Sequence, residues 1–407
     1  MKQRTPGLGF VFLVVLLDVL GFGLLVPVGP TLIKQLQGGT AGDAATAVGW
    51  LGATYAAMQF LCSPLLGALS DRYGRRPLLL FSMFGSGVDY LAMTLVPSVP
   101  WFFVTRALNG LTGASVSVAS AYIADITAPE KRAGAFGIIG AAFGVGFVVG
   151  PVVGGLLGDL DIRYPFYAAA GMTLLNGLYG LFLLPESLPP ERRSKRAIRN
   201  PMAALAVLGQ YPLALRLAGA LFLVHTAQFA LHATWALYTE HRYGWGKSDI
   251  GMSLGAVGLG AILVQGGLAR RIVPKLGEAR SLLVGLLIGI GAYLGYALSS
   301  AGWGIYATIA FASLGGIAGP SCQALITRTV RGDQQGAVQG SLTSVQNLAN
   351  IVGPVLGASV FAWSIDKANA GVPPGSVYFV SAALAVGSFL VALWSLRGHG
   401  AAASGKP

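Results

Sequence analysis

Residues 67–77 read Gly67-Ala68-Leu69-Ser70-Asp71-Arg72-Tyr73-Gly74-Arg75-Arg76-Pro77, a turn with four charges set between two long apolar runs. The run before it spans about residues 47–69 and the run after it about 77–96. Each is long enough to cross a ~30 Å hydrocarbon core, which needs ~20 helical residues at ~1.5 Å per residue. Charges gathered in a short turn between such runs describe a loop at a membrane surface. The pattern continues along the whole chain. Charges, prolines and turn residues divide it into twelve apolar stretches, near 8–30, 47–69, 77–96, 99–124, 133–158, 164–184, 213–238, 249–270, 280–299, 303–327, 336–362 and 376–396. Barrel strands are excluded, because they would be ~10 residues long with alternating polarity. The Gly and Ala content suits helices that pack closely in lipid.

Composition agrees. Charged residues are 10% of the 407, against ~25% in a soluble domain, too few to clothe a water-soluble surface of this size. Mean hydropathy is +0.67. The net charge of +12 invites a nucleic-acid partner, but the placement of the charges rejects it. With both termini in the cytoplasm, 21 of the 27 Lys and Arg fall on cytoplasmic segments. Five (Lys34, Arg163, Arg242, Lys247 and Lys367) fall on the other side, and Arg106 lies within a span. That asymmetry over short loops sets orientation. Lys2 and Arg4 precede an apolar run too long for a signal peptide, so a retained first helix is expected. Cys62 and Cys322 lie in apolar runs and suggest no disulfide framework. The expected class is an all-α polytopic membrane protein.

The longest polar stretch, residues 185–212, carries Glu191-Arg192-Arg193-Ser194-Lys195-Arg196-Ala197-Ile198-Arg199. It reads as a solvated cytoplasmic linker, with contact to anionic lipid as the alternative. It divides the chain into an N-terminal bundle, 1–184, and a C-terminal bundle, 213–407. An offset of 203 residues lays one on the other: Gly74 meets Gly277, Gly113 meets Gly316, Glu130 meets Asp333 and Gly137 meets Gly340. The same offset puts Gly150-Pro151 on Gly353-Pro354 and Gly154 on Gly357. A parallel repeat of six helices plus six is a transporter architecture, with the substrate site between repeats near the midplane. The expected fold is therefore twelve transmembrane helices in two six-helix pseudo-symmetric bundles. In the second half the loop around Arg270-Arg271 is degenerate, so the halves have diverged in role.

Three charged residues lie deep inside spans, away from their ends. Asp18 is about 10 residues into span 1 and Asp89 about 12 residues into span 3 from the cytoplasmic side, ~15–18 Å deep. Arg106 lies in span 4, within Arg106-Ala107-Leu108-Asn109-Gly110-Leu111-Thr112-Gly113. Charge at that depth is expensive and marks a functional site. Span 5 carries Gly140, Gly144, Gly146, Gly150-Pro151 and Gly154-Gly155, small residues that let helices touch around a proline bend. There is no phosphate-binding G-x4-G-K-[ST] loop and no cluster with metal-ligand spacing, so no enzyme activity or ATP drive is expected.

These segments carry a resemblance. Residues 67–76 closely match the G-x-L-x-D-R-x-G-R-R signature of the major facilitator superfamily, and residues 106–113 resemble its intramembrane arginine motif. The span 5 glycines resemble the motif of drug/proton antiporters rather than symporters. Leu17-Asp18 through Pro27, Gly85 through Leu91, and Thr239-Glu240-His241-Arg242-Tyr243-Gly244-Trp245 look like the bacterial tetracycline/proton antiporters. With Tyr55 through Gln59 and Tyr122 through Asp125, the likeness covers essentially the whole chain, most strongly its first half. It implies the major facilitator fold in a bacterial inner membrane and proton-coupled efflux of an amphipathic compound by a monomer. No cofactor is implied beyond the coupling proton, though the substrate can arrive as a metal chelate.

The resemblance assigns proton coupling and substrate contact to Asp18, Asp89, Arg106, Gln59 and Asn109. It assigns a conformational latch to Gly67, Asp71, Arg72, Gly74, Arg75 and Arg76, with Asp125 and Arg132 as charge partners. Gly140, Gly144, Gly150, Pro151 and Gly154 become the helix-packing motif of an exporter. One departure stands out. Where the tetracycline pumps carry a titratable histidine in span 8 and an aspartate in span 9, this chain has Ala261 and Gly289. His225 and His232, seven apart in span 7, with Gln228 and Glu240, are the polar groups the second half offers instead. Two alternatives stay open: a proton-coupled symporter or exporter of another metabolite, and a non-transporting receptor on the same fold.

Overall fold

The structure, a computed structural model, describes residues 8–113, 115–128, 132–193, 207–331, 334–369 and 371–404. Lys2, Arg4, Glu130, Lys131, Asp333 and residues 194–206 of the expected linker lie outside the described residues, as does the side chain of Arg132.

Among the described residues every regular element is helical. Helices α1 (Leu8–Leu25), α2 (Gly29–Gln37), α3 (Ala41–Tyr73), α4 (Arg75–Leu95), α5 (Val99–Thr112), α6 (Ser115–Ile126), α7 (Arg132–Leu160) and α8 (Tyr164–Leu183) precede the linker. Helices α9 (Pro212–Tyr243), α10 (Lys247–Leu263), α11 (Ala269–Leu276), α12 (Glu278–Leu298), α13 (Gly302–Leu314), α14 (Ala318–Thr329), α15 (Gln335–Ser364) and α16 (Ser376–Ser404) follow it. Among the described residues, nine helices or continuous helix pairs are long and apolar enough to cross a membrane, and ten with the bent pair α1–α2. Helix α3 and the pair α5–α6 cover the sequence of the other two expected spans but are not among those that meet both length and composition. Large apolar side chains stand in the open along these helices, among them Phe182, Leu160, Trp303 and Leu298. Such a surface suits hydrocarbon rather than water.

Two expected spans are broken rather than continuous. The first stops at Leu25 and resumes at Gly29 with a 41° bend. Pro27 lies in the break and cannot donate a backbone hydrogen bond, and Pro30 sits at the start of α2, where a missing N–H costs nothing. The fourth stops at Gly113, whose backbone angles (φ −73°, ψ 40°) leave the helical region. Helix α3 instead starts cleanly. The Thr40 N–H donates to Asp43 Oδ2 at 2.9 Å and the Asp43 N–H donates to Thr40 Oγ1 at 3.2 Å, a reciprocal cap. The Thr40 hydroxyl, and then its N–H, hold the Asp43 carboxyl below the usual carboxylate range.

The repeat is visible in the element boundaries. Helix α4 begins at Arg75 and α12 at Glu278, 203 positions on, and the ends at Leu95 and Leu298 keep the same spacing. So do both ends of α6 and α14, and the starts of α5 and α13 and of α7 and α15. Gly74 and Gly277 precede α4 and α12 with φ +109° and +79°. Only glycine adopts these angles readily, which explains why both halves place one there.

Packing sorts the chain into two compact units. Unit 1 comprises Met1–Gly38, Thr54–Arg199 and Trp245–Gly258. Here α1 lies along α7 so closely that a Cβ on Gly150 would stand 2.9 Å from Gly23 Cα, and one on Gly154 would collide with the Leu24 backbone. The apolar core includes Val14, Val15, Leu79, Met83, Tyr122 and Ile123. Buried Asn176 ties α8 to α1 by donating to the Val14 carbonyl at 2.9 Å. The first turns of α10 also lie on α7, where Gly251 meets the Pro151 carbonyl and Gly155 meets the Lys247 carbonyl. Asp159 caps that end of α10 by accepting from the Ser248 N–H and hydroxyl.

Unit 2 comprises Gly39–Ala53, Asn200–Gly244 and Leu259–Pro407. Helix α9 is its centre. Gly353 and Gly357 of α15 press on Phe229 and Ala230, repeating the contact of Gly150 and Gly154 with α1. Ser381 and Ser388 of α16 donate to the carbonyls of Ala227 and Ala220. Trp235, Tyr238, Tyr296, Tyr378 and Phe361 stack edge-to-face at one end.

Candidate functional site

The buried charge lies in unit 1, where α4 and α5 face each other. Asp89 is 5% exposed. One of its oxygens, Oδ2, accepts from Asn109 Nδ2 at 2.7 Å and from Arg106 Nη2 at 3.3 Å. Its other oxygen, Oδ1, is buried with no hydrogen-bond partner. Asn109 stands three residues after Arg106, so a single helical face presents the cation and the amide together. The Arg106 Nη2 also approaches Met93 Sδ at 2.9 Å, and its guanidinium lies 5.9 Å from the Tyr55 ring centre. An ion pair this buried is costly to desolvate, and the added hydrogen bond from Asn109 offsets part of that cost.

Around this pair α3 supplies Tyr55 and Gln59. The Gln59 amide donates to the Tyr55 hydroxyl at 3.1 Å and to the Gly113 carbonyl at 2.9 Å, the acceptor left free where α5 breaks. Gly110 fits against α3 because a side chain there would strike the Tyr55 carbonyl and Met58. Asp18, half-buried on α1, lies within electrostatic reach of Tyr55 and Tyr90. The five residues expected to serve coupling and substrate thus gather around one region of unit 1. Tyr55 and Met93 join them, two residues to which no role is assigned above. Tyr55 stands four residues before Gln59 on the same helical face, which is the signal that marks it.

Residues 67–77, which the structure makes the end of α3, Gly74 and the start of α4 rather than a loop, form a second cluster. Arg75 is 9% exposed. It donates to the Ser70 hydroxyl at 2.6 Å and pairs with Asp71 Oδ1 at 2.7 Å and Asp125 Oδ2 at 3.0 Å. This junction thus ties the end of α3 and the start of α4 to the end of α6. Glu186, which follows α8, accepts from the backbone N–H groups of Arg75 at 2.8 Å and Arg76 at 3.2 Å, capping α4 from outside its own segment. Ser187 donates to Asp125 at 3.2 Å. Sequence reading missed Glu186 and Ser187. Their signal is indirect: Gly74 offers α4 no side-chain cap, so its first N–H groups need an acceptor from elsewhere.

Several residues expected in the latch or in the helix-packing motif behave differently. Arg72 leaves the cluster and lies over the exposed Tyr73 ring at 5.5 Å. Gly67 and Gly140 have open space where a Cβ would stand, so no close approach demands glycine at either position. Gly150 and Gly154 do require it, on either side of Pro151. In unit 2, His225 and His232 flank Phe229 along α9, their ring centres 6.4 and 6.2 Å from it. Gln228 is exposed and Glu240 half-buried. His225 Nδ1 is buried without a hydrogen-bond partner. None of these four belongs to the unit that holds Asp89.

The superfamily profile described as Major Facilitator Superfamily matches residues 11–354. The chain belongs to that family. Among relatives of this superfamily member, the class C tetracycline resistance protein of Escherichia coli is 38% identical over 385 residues, covering 94% of each chain. The class G tetracycline resistance protein of Vibrio anguillarum is 36% identical over 392 residues, covering 95% of each. Among solved structures, the human organic anion transporter MFSD10 (TETRAN) superposes with a TM-score of 0.71 at 27% identity, over 95% of this chain and 98% of that one. The nucleoside transporter NupG gives 0.79 at 12% identity, over 95% and 99%, a likeness of fold alone. The chain is a multi-pass membrane transporter of the Major Facilitator Superfamily, and not an enzyme.

Proposed function

We propose that this superfamily member exports an amphipathic, tetracycline-type compound in exchange for protons, by alternating access in a bacterial inner membrane. Both termini lie in the cytoplasm and the monomer is the working unit. The observation that carries the reading is the Asp89 carboxyl. One oxygen is fully engaged by Arg106 and Asn109, while the other is buried and free, so a proton can be taken up there without breaking a bond. Asp18 is the second acid of the pair, and a substrate cation or metal chelate displaces the proton. Gln59 and Asn109 orient polar atoms of the substrate. The relatives named as tetracycline resistance proteins support the substrate class, and the glycine contacts around Pro151 support the exporter direction.

Arg75, with Asp71, Asp125 and Glu186, braces the cytoplasmic end of the first half as the bundles rock. Arg76 shares the Glu186 cap, and the family resemblance assigns Arg132 to the same latch. His225, Gln228, His232 and Glu240 are the polar groups the second half offers for substrate contact.

Everted membrane vesicles with an acid interior test the function. Tetracycline should accumulate inside them, and an uncoupler should abolish the accumulation. If tetracycline stays out while the protein is present in the vesicles, the substrate is a different compound. Ala261 and Gly289, which cannot titrate, then become the reason.

A further inference from the structure

The 203-residue repeat places Glu278 at the position of Arg75 and Arg328 at the position of Asp125. The structure joins both pairs. Arg75, the first residue of α4, meets Asp125, the next-to-last residue of α6, at 3.0 Å. Glu278, the first residue of α12, meets Arg328, the next-to-last residue of α14, at 2.7 Å. One ion pair therefore occurs twice at equivalent positions, with its charges exchanged. Each follows a positive-φ glycine that starts the helix, Gly74 or Gly277.

The exchange has an electrostatic consequence. A helix N-terminus favours negative charge and a C-terminus positive charge. Glu278 in the first turn of α12 and Arg328 in the last turn of α14 obey that preference. Arg75 and Asp125 violate it, and the first half answers with extra acids: Asp71 on the guanidinium and Glu186 on the α4 N–H groups. The second half needs no such additions, which is why its loop carries no matching signature and reads as degenerate. Glu278 is nonetheless largely covered, with 16% of its side chain exposed, while Arg328 is 74% exposed. An ion pair with one end so open contributes little to stability. Its use is to fix the relative position of two helix ends.

We infer that Glu278 and Arg328 are positioning residues, a charge-inverted counterpart of the Arg75–Asp125 brace, holding the ends of α12 and α14 together while the second half moves as one body during transport. The inference rests on the transport reading for its rate measurement but not for its structural one.

Two readouts test it on the full-length protein. Glu278→Arg should lower the maximal rate of tetracycline uptake into everted vesicles about tenfold, with KM within about twofold, the pattern of a step that follows binding. Glu278→Gln, a milder change, should lower it less. The exchanged pair E278R/R328E should recover to within about fivefold of the parent, the remaining deficit reflecting charges set against the helix dipoles. Amide hydrogen exchange at the first turn of α12, measured without substrate, should quicken in both single variants and slow again in the exchanged pair. An exchanged pair as slow as Glu278→Arg overturns the inference. So does a raised KM at unchanged maximal rate, or an unaltered amide exchange in Glu278→Arg and Glu278→Gln. If the parent protein moves no tetracycline, the transport reading has failed and amide exchange alone decides the brace.

Discussion

The two halves share a scaffold and differ in what they bury. Asp89, Arg106 and Asn109 of the first half correspond through the repeat to Ala292, Ile309 and Ala312 of the second. Ala292 and Ile309 are as deeply buried, at 4% and 3% exposure, but carry no polar atom beyond the backbone. Conversely, His225 and His232 of α9 stand where the first half has Phe22 and Gly29. Helix starts, glycine turns and the glycine-to-backbone contacts of α7 with α1 and α15 with α9 recur in both halves. Shared backbone geometry with unshared chemistry fits the proposed function, in which the common fold sets the movement and coupling belongs to the half with the buried charge.

That contrast yields a ranked set of tests. Arg106→Met strands a buried carboxylate and should cost about 3–5 kcal/mol of stability, read as a lowered thermal midpoint of the purified protein. Ile309→Leu, at the equivalent position, conserves volume and should cost less than about 1.5 kcal/mol. Equal losses at the two positions would erase the distinction between a charged and an apolar half. Packing, in contrast, should be symmetric. Gly154→Leu and Gly357→Leu each force a side chain into a neighbouring backbone, and each should cost about 1–3 kcal/mol by the same thermal measurement. Tolerance at one of them would show that the repeat's helix contacts are not equivalent. The smallest effect is expected in the second half's polar face. His225→Gln and His232→Gln should change tetracycline uptake by no more than about twofold, since Gln keeps a hydrogen-bonding group at each position and neither histidine belongs to the coupling groups. A severe loss, or a shifted pH profile, would move proton coupling into the second half.

Much of this was legible in the sequence, because a bilayer imposes a length and a polarity on every crossing helix. The spans, the repeat and the buried acids follow from that constraint. Two breaks did not. Hydropathy is blind to the 41° bend between Leu25 and Gly29, since Pro27 and Pro30 interrupt hydrogen bonding without interrupting apolarity. Nor does it register the stop at Gly113, where Gln59 from another helix takes up the freed carbonyl. At the site, Asp89 and Arg106 were legible as isolated charges at depth, but their pairing depends on how α4 meets α5. Glu186 was hidden because it acts 111 positions from the amide of Arg75. The Glu278–Arg328 pair was hidden for a different reason: matching identical residues across a repeat overlooks an ion pair that has kept its positions and exchanged its charges.

The central claim, that Asp89 carries a proton which substrate binding displaces, is tested most directly by proton release. Tetracycline is added to the purified protein in weakly buffered detergent solution, and the acidification is followed with a pH dye. The parent protein should release protons in proportion to bound tetracycline, and Asp89→Asn should bind it while releasing measurably fewer. Equal release per bound molecule in Asp89→Asn would contradict the claim and place the exchanged proton elsewhere in the chain.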